Sequence, residues 1–287
     1  MSVKNDASLR GRIRAYAKDH QLHAQEVLQM YLFVHFLRRR SKSDYASVFV
    51  LKGGLLIASY LGITRRTTMD MDATVVGMPM DKDSVVNALE EICSKPVEDD
   101  MEYELERVSP IHDLGQYANW RAHLRVKYGR INAPTKIDKT TGDSIVPAQE
   151  RYEYPPMFDE GSIDAVAYLM ITVLTEKIET ILTRGCANTR GRDNYDVFTL
   201  YQAYGERIDY RQLHEALEAT FHERIAPVDL KDYDRVLTEM VQSGEMHGVW
   251  DAYAAVAPFA RDITLEQSVE AVRSLCARAI DAERPAL

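Results

Sequence analysis

Residues 65–76 read RRTTMDMDATVV. A β-strand turns alternate side chains to opposite faces, so this run predicts a strand with Thr68, Asp70, Asp72 and Thr74 on one face and Met69, Met71, Ala73 and Val75 on the other. The apolar face belongs against a core. The polar face sets two carboxylates side by side, where each resists ionisation of the other unless a cation or water stands between them. An Asp-x-Asp taken alone reads as a solvated edge strand, so a metal site has to be argued from its neighbours.

Immediately upstream, SVFVL at 47–51 predicts a short buried strand, Gly53-Gly54 a turn, and LLIASYLG at 55–62 a compact helix closed by Gly62. The order is strand, Gly-Gly turn, helix, strand. The first forty residues are helical in period, with Val27, Met30, Tyr31, Val34 and Leu37 as an apolar stripe that ends in the basic run LRRRSK at 37–42. Downstream, DKDSVVNALEEICSK at 81–95 predicts a helix entered at Asp81 or Asp83. YELERVSPI, HLRVKYGRI and PTKIDK predict strands punctuated by Gly129 and Pro134. From about residue 160 the pattern is helical, beginning with a long helix from Ser162 to Arg184 stopped by Gly185. The boundary is placed in QERYEYPPMFDEG, dividing the chain into 1–155 and a helical 156–287. No internal repeat or low-complexity tract interrupts either part.

A chain of 287 residues with 46% hydrophobic and 28% charged side chains has the balance of an ordinary soluble globular protein. No apolar run reaches the length of a membrane span and the start MSVKNDASLRGRIR lacks a signal-peptide core, so a cytoplasmic protein is expected. Cys93, Cys186 and Cys276 are far apart and in no metal-binding spacing, which predicts buried free thiols. A formal net charge of -9 excludes a protein that coats nucleic acid by bulk electrostatics, but not an enzyme with a local basic patch. Candidate patches are 37–42, Arg65-Arg66, and TRGCANTRGR at 183–192 with Arg184, Arg190 and Arg192.

Nucleotidyl transfer needs divalent ions to activate a hydroxyl and neutralise departing pyrophosphate, and carboxylates on rigid strands can hold them. Asp70 and Asp72 supply two. Asp138 in PTKIDKTTGD is the candidate third, expected also to help deprotonate the attacking hydroxyl, with Asp143 in its turn-like TGD context as the competitor. Gly53-Gly54 opens a helix whose N-terminus favours anions. Lys177 falls on the helical stripe Val166, Met170, Val173, Lys177, Ile181, Arg184, either snorkelling from its edge or aimed into a cleft. Asp193 and Asp196 stand at a helix start, where they could simply compensate the dipole or could orient Lys177 and a nearby Arg184 or Arg190. Thr68, one pleat repeat before Asp70, is expected to border the site, and a phosphate on Thr68 or Thr67 would repel an incoming NTP.

The runs SDYASVFVLKGGLLIASYLGITRRTTMDMDATV, KIDKTTGD and LTEKIETILTRGCANTRGRDNYDVF, in that order, resemble the AbiEii/AbiGii nucleotidyltransferase toxin family of type IV toxin–antitoxin and abortive phage-infection systems. The resemblance spans residues 10–205 or so and thins in the helical C-terminal part. It implies an α+β fold, with a DNA-polymerase-β-like nucleotidyltransferase core made of a mixed sheet with helices. A helical C-terminal domain is implied to follow and complete the active-site cleft. It implies metal aspartates at Asp70 and Asp72, a phosphate turn at Gly53 and Gly54, the lysine at Lys177, and the Arg-Asp-x-x-Asp segment Arg192, Asp193, Asp196. Magnesium or manganese is the implied ion, an NTP the substrate, a tRNA 3′ end the acceptor, and a separate cognate antitoxin the partner. The wider pattern has Gly-Ser where this chain has Gly-Gly-Leu, so Leu55 can offer no hydroxyl and backbone amides must take that part. Two other readings remain open: the same chemistry on a protein hydroxyl or a small molecule, and a non-catalytic nucleotide-binding regulator.

Overall fold

The computed structural model describes residues 5–111, 119–140, 145–224 and 226–283. The chain divides into two compact units, Met1–Asp143 with Gln149–Ala167, and Ser144–Ala148 with Tyr168–Leu287.

The first unit opens with helices α1 (Asp6–Asp19) and α2 (Ala24–Ser41). On α2 the expected stripe of Val27, Met30, Tyr31, Val34 and Leu37 is buried, but so are Leu32, Phe33 and Phe36 on its other sides. A helix enclosed all round is a core helix, and its basic end is drawn inward with it. Arg39 is 3% exposed, and its Nη1 and Nη2 donate to the two oxygens of Asp99 at 2.6 and 2.7 Å. His35 Nδ1 lies 2.7 Å from the same carboxylate. Arg40 is completely buried, donates to the Phe49 carbonyl, and is pulled down to about 10 by that burial. Arg38 reaches Asp159 at 2.8 Å. The candidate basic patch at 37–42 is therefore corrected as a nucleic-acid surface: cations already neutralised or sealed in a core have no counterions to release, and Lys42 is left as the exposed cation of the run.

The remaining elements of this unit are β1 (Phe49–Lys52), α3 (Gly53–Leu61), β2 (Asp70–Val75), α4 (Lys82–Ser94), β3 (Glu102–Ile111), β4 (Asn119–Tyr128), β5 (Ile131–Thr140), β6 (Glu150–Tyr154) and β7 (Ile163–Ala167). They form one seven-stranded sheet in the order β3-β4-β5-β2-β1-β7-β6. β2 runs antiparallel to β1 and parallel to β5, and β7 runs parallel to β1, so the sheet is mixed and the fold is α+β as expected. One face is apolar: Met71, Ala73, Ala122, Leu124, Val126 and Ile137 are all buried. Two polar links sit on this buried side, Gln29 Nε2 donating to Thr135 Oγ1 at 3.1 Å and Tyr103 Oη donating to the Leu32 carbonyl at 2.6 Å.

Two expectations change here. The opening strand starts at Asp70 rather than before it, so Thr68 precedes the pleat. The long helix starts at Met170, because Ile163–Ala167 is a strand with Ile163, Ala165 and Ala167 buried and Asp164 exposed. Alanine favours a helix, but pairing with β1 and β6 overrides that weak preference. The Tyr-rich segment taken for a boundary contributes β6, and position 155/156 falls in the connection between β6 and β7.

The second unit is helical: α5 (Met170–Arg184), α6 (Gly191–Tyr204), α7 (Tyr210–Glu223), α8 (Tyr233–Gln242), α9 (Gly244–Val256) and α10 (Leu265–Glu283). α5 and α10 each pack against both α6 and α7, burying Leu174, Ile178, Leu200, Leu217, Val272 and Leu275. Among the described residues no helix is long and apolar enough to cross a membrane. The cysteines are unbridged, with Cys276 buried, Cys93 partly so and Cys186 exposed, against the expectation that all three are buried.

Candidate active site

β1 hands the chain to α3 through Gly53, whose φ of +66° lies in the left-handed region that favours glycine. Space makes a second demand, because a Cβ on Gly53 would lie 2.1 Å from Asp72 Oδ2 and one on Gly54 would lie 2.9 Å from Thr68 Oγ1. The Gly-Gly turn is thus a backbone cradle against which Asp72 and Thr68 rest. The N-cap residue of α3, Lys52, makes no side-chain cap bond, and the N–H groups at a helix start are an arrangement that can receive an anion. Leu55 is completely buried and plays no polar part.

Thr68 meets Asp70 through the backbone: its Oγ1 donates to the Asp70 carbonyl at 2.9 Å and accepts from the Asp70 N–H at 3.3 Å. Thr67 is buried and donates to Glu26 Oε2 at 2.8 Å. Arg66 is buried too, donating to the Thr67 carbonyl, so the pair Arg65-Arg66 is not the open basic patch its sequence suggests.

Residues directly opposed across paired strands share a face. Across β1, β2, β5, β4 and β3 this gives one row, Lys52, Asp72, Asp138, Arg121 and Ser109, with Asp70 two residues from Asp72 on the same face. Asp138 stands beside Asp72, as expected of a third carboxylate, but both its oxygens are taken: Arg121 Nε donates to one at 2.7 Å and Nη2 to the other at 2.6 Å. Those hydrogen bonds, with the added charges of Asp70 and Asp72 and against the cost of burial, raise the Arg121 pKa. Asp143 lies outside the described residues. Among the described residues no group of three or more His, Cys, Asp and Glu is arranged around a cation position. Two carboxylates suffice for magnesium or manganese when substrate phosphates and water complete the shell, and Asp70 and Asp72 are hard oxygen donors beside a phosphate-type cradle. Sequence reasoning passed over Lys52 and Arg121. Position was the available signal: Lys52 ends the strand just before the glycines, and Arg121 starts the alternation Arg121, His123, Arg125, Lys127 on β4.

In the second unit, Lys177 of α5 extends its ammonium to Asp193 Oδ1 at 2.8 Å and Asp196 Oδ2 at 2.7 Å, both on the first turns of α6. The carboxylates are 1% and 0% exposed and Lys177 12%. Burial opposes the ammonium charge, the two carboxylates outweigh it, and the Lys177 pKa ends above its ordinary value. Arg190 adds a second cation to Asp193, Nε to Oδ2 at 2.9 Å. Asp193 and Asp196 are therefore the enclosure of a fixed cation, more than neutral trim at a helix start. Arg184 and Arg192 are exposed.

Comparison with known proteins adds three findings. A family model described as Nucleotidyl transferase AbiEii toxin, Type IV TA system, matches residues 35–273. Among solved structures, a proposed nucleotidyltransferase from H. pylori aligns with a TM-score of 0.50 at 15% identity, over 91% of this chain and 96% of that chain. JHP933 from Helicobacter pylori aligns with a TM-score of 0.48 at 13% identity, over 91% and 94%. None of the curated proteins compared matches the chain.

Proposed function

The chain belongs to the AbiEii family of nucleotidyltransferase toxins of type IV toxin–antitoxin systems, and from that premise we propose that it moves a nucleoside monophosphate from an NTP to an RNA hydroxyl, the 3′ end of a tRNA, and so blocks translation and growth. The observation that carries this reading is the Asp72 carboxylate lying in the Gly53-Gly54 cradle with Asp70 on the same face of β2. Asp70 and Asp72 would hold magnesium or manganese, which when bound neutralises charge that builds on the departing pyrophosphate. The start of α3 receives a phosphate through its N–H groups. Thr68 keeps the Asp70 backbone in place at the edge of the cradle.

Asp138 holds Arg121 beside the carboxylates, its two oxygens accepting from Arg121 Nε and Nη2. Lys177 is assigned to phosphate neutralisation, with Asp193 and Asp196 keeping it charged and Arg190 as a second cation. The setting for this chemistry is the cytoplasm, where NTPs and tRNA are found, and the neutralising antitoxin is a separate chain.

The test is incubation of the purified protein with magnesium and each labelled NTP in turn, in the presence of bulk RNA or mixed protein. Label in tRNA-sized RNA is expected, with one NTP preferred. Label in protein or a small molecule, or no transfer with any NTP, overturns the RNA assignment.

A further inference from the structure

The carboxylate-bearing face of the sheet continues past β2 onto β5, β4 and β3. One register step from the row that contains Asp72 runs a second row, Asp70 opposite Lys136, Lys136 opposite His123, and His123 opposite Arg107. With strands ~4.8 Å apart, three steps place Arg107 about 14 Å from Asp70, the rise of roughly four nucleotides of a stacked strand.

Arg107 reaches this face because of a β-bulge. The β3–β4 register shifts between Leu105 and Arg107, so Glu106 is the extra residue and the alternation changes phase there. Glu102 and Glu104 point outward before the bulge, and Arg107 and Ser109 after it. Without the insertion Arg107 would share the face of Tyr103, which is buried.

Charge is distributed unevenly over this face. Toward the far end of β4 the cations are matched, Arg125 with Glu106 at 2.8 Å and Lys127 with Glu104 at 2.8 Å. Beside Asp70 they are not: Arg107 and Lys136 are exposed and neither has a carboxylate partner among the described residues. The field they make is registered by His123, whose pKa is lowered first by burial and then by Arg107, Lys136 and Arg121, with Asp138 opposing. A chain of net charge -9 thus keeps an unneutralised cationic strip next to its candidate metal carboxylates.

We propose that the outward face of β3, β4 and β5, along the row Arg107–His123–Lys136 with Arg121 at its border, is where the sugar-phosphate backbone of the acceptor RNA lies as its end is brought to Asp70 and Asp72. The inference rests on the RNA reading of the function and gives that reading an address. Two exposed cations flanking a neutral imidazole suit a flexible polyanion, since phosphates are bound by charge and register rather than by shape.

Binding is measured without NTP, so that failure of this surface and failure of the transfer reaction are read separately. The probe is bulk tRNA, titrated against the parent, Arg107→Gln/Lys136→Gln, and Arg125→Gln/Lys127→Gln. The two doubles remove the same charge from the same sheet face. The first should weaken tRNA binding roughly tenfold or more and reduce the slope of log affinity against log salt by about 1.4 to 1.8, the release from two phosphates. The second should bind close to parental strength, and both should melt as the parent does. Equal loss in the two doubles, or no loss in the first, overturns the proposal. So does parental binding of polyglutamate as tight as that of tRNA, which would make the strip a surface for acidic polypeptides. Label found in protein with the tRNA binding pattern intact would sink the transfer reading and with it the acceptor role of this face, leaving tRNA binding alone.

Discussion

Replacing Lys177 by Met tests the charge cluster of the second unit, and the structure changes what the experiment should show. On sequence alone Lys177→Met keeps the helix packing, loses one charge and is expected to leave stability near the parental value. In the fold, Lys177 neutralises two carboxylates that are 1% and 0% exposed, at 2.8 and 2.7 Å. An exposed ion pair is worth about 0–1 kcal/mol. Removing one partner of a buried pair costs roughly 3–5 kcal/mol, because the remaining charge is left without compensation in a poorly solvated place. Arg190 still serves Asp193, which argues for the lower end. At roughly 2–4 °C per kcal/mol, the loss corresponds to a fall in Tm of about 6–20 °C. Thermal and urea unfolding at neutral pH measure it, and a Lys177→Met/Asp196→Asn double should recover much of the loss by removing the stranded charge. The pH dependence has a definite sign. The Lys177 pKa is raised above its ordinary 10.5, so its contribution is complete below that value and is lost as pH rises through the folded-state value. The parent should therefore lose stability at strongly alkaline pH and the variant should not show that component. A variant that melts within about 2 °C of the parent at neutral pH would refute the reasoning.

Asp70→Asn keeps the shape of the site and removes an anionic ligand, so nucleotide transfer should fall at least about 100-fold while unfolding is unchanged, since a ligand worth several kcal/mol in the transition state is lost; parental activity in a folded variant would remove Asp70 from the site. Gly53→Ala must adopt φ +66° and place a Cβ 2.1 Å from Asp72 Oδ2, so it should cost about 1–2 kcal/mol of stability and, by displacing Asp72, a larger factor in activity; an active, undisturbed variant would show that the cradle is not needed. Asp99 is held near 2, with Arg39, His35 and the Met101 N–H overcoming the cost of its burial. Its contribution is thus present above the ordinary 3.8 and lost as pH falls through about 2, and Asp99→Asn should abolish that part of the acid loss in urea titrations while destabilising the protein at neutral pH by stranding Arg39.

Much of the candidate site was legible because its signals are local. Alternation in RRTTMDMDATVV placed Asp70 and Asp72 on one face, and the two glycines marked a turn into a helix, features that need only the preferences of a few neighbouring residues. Lys177 was legible as an anomaly on an apolar stripe, of which α5 buries Val173 and Ile181. Legibility failed where a short segment fits two periods. Five residues, Ile163–Ala167, satisfy a helical stripe as well as a strand, and neighbours distant in sequence settled the matter. It failed also for charge. Arg38-Arg39-Arg40 reads as a surface patch because arginines usually are exposed, and nothing near them in sequence announces Asp99 or the Phe49 carbonyl as their partners.

By itself, the amino-acid sequence determined the local elements of this protein: the carboxylate strand, the glycine turn that lets Asp72 approach, and helices with buried stripes. Each is governed by backbone sterics and hydrophobic period over a few residues. Tertiary structure alone decided what each charge means. Sheet order put Asp138 beside Asp72 and Arg121 upon Asp138. A single inserted residue turned Arg107 outward into the row that ends at Asp70. Packing of α2 converted Arg39 and Arg40 from ligands for an outside anion into parts of the core. The physical reason is that a charge takes its energy from solvent access and from partners within a few ångströms, and the fold assembles those partners from positions far apart in the chain.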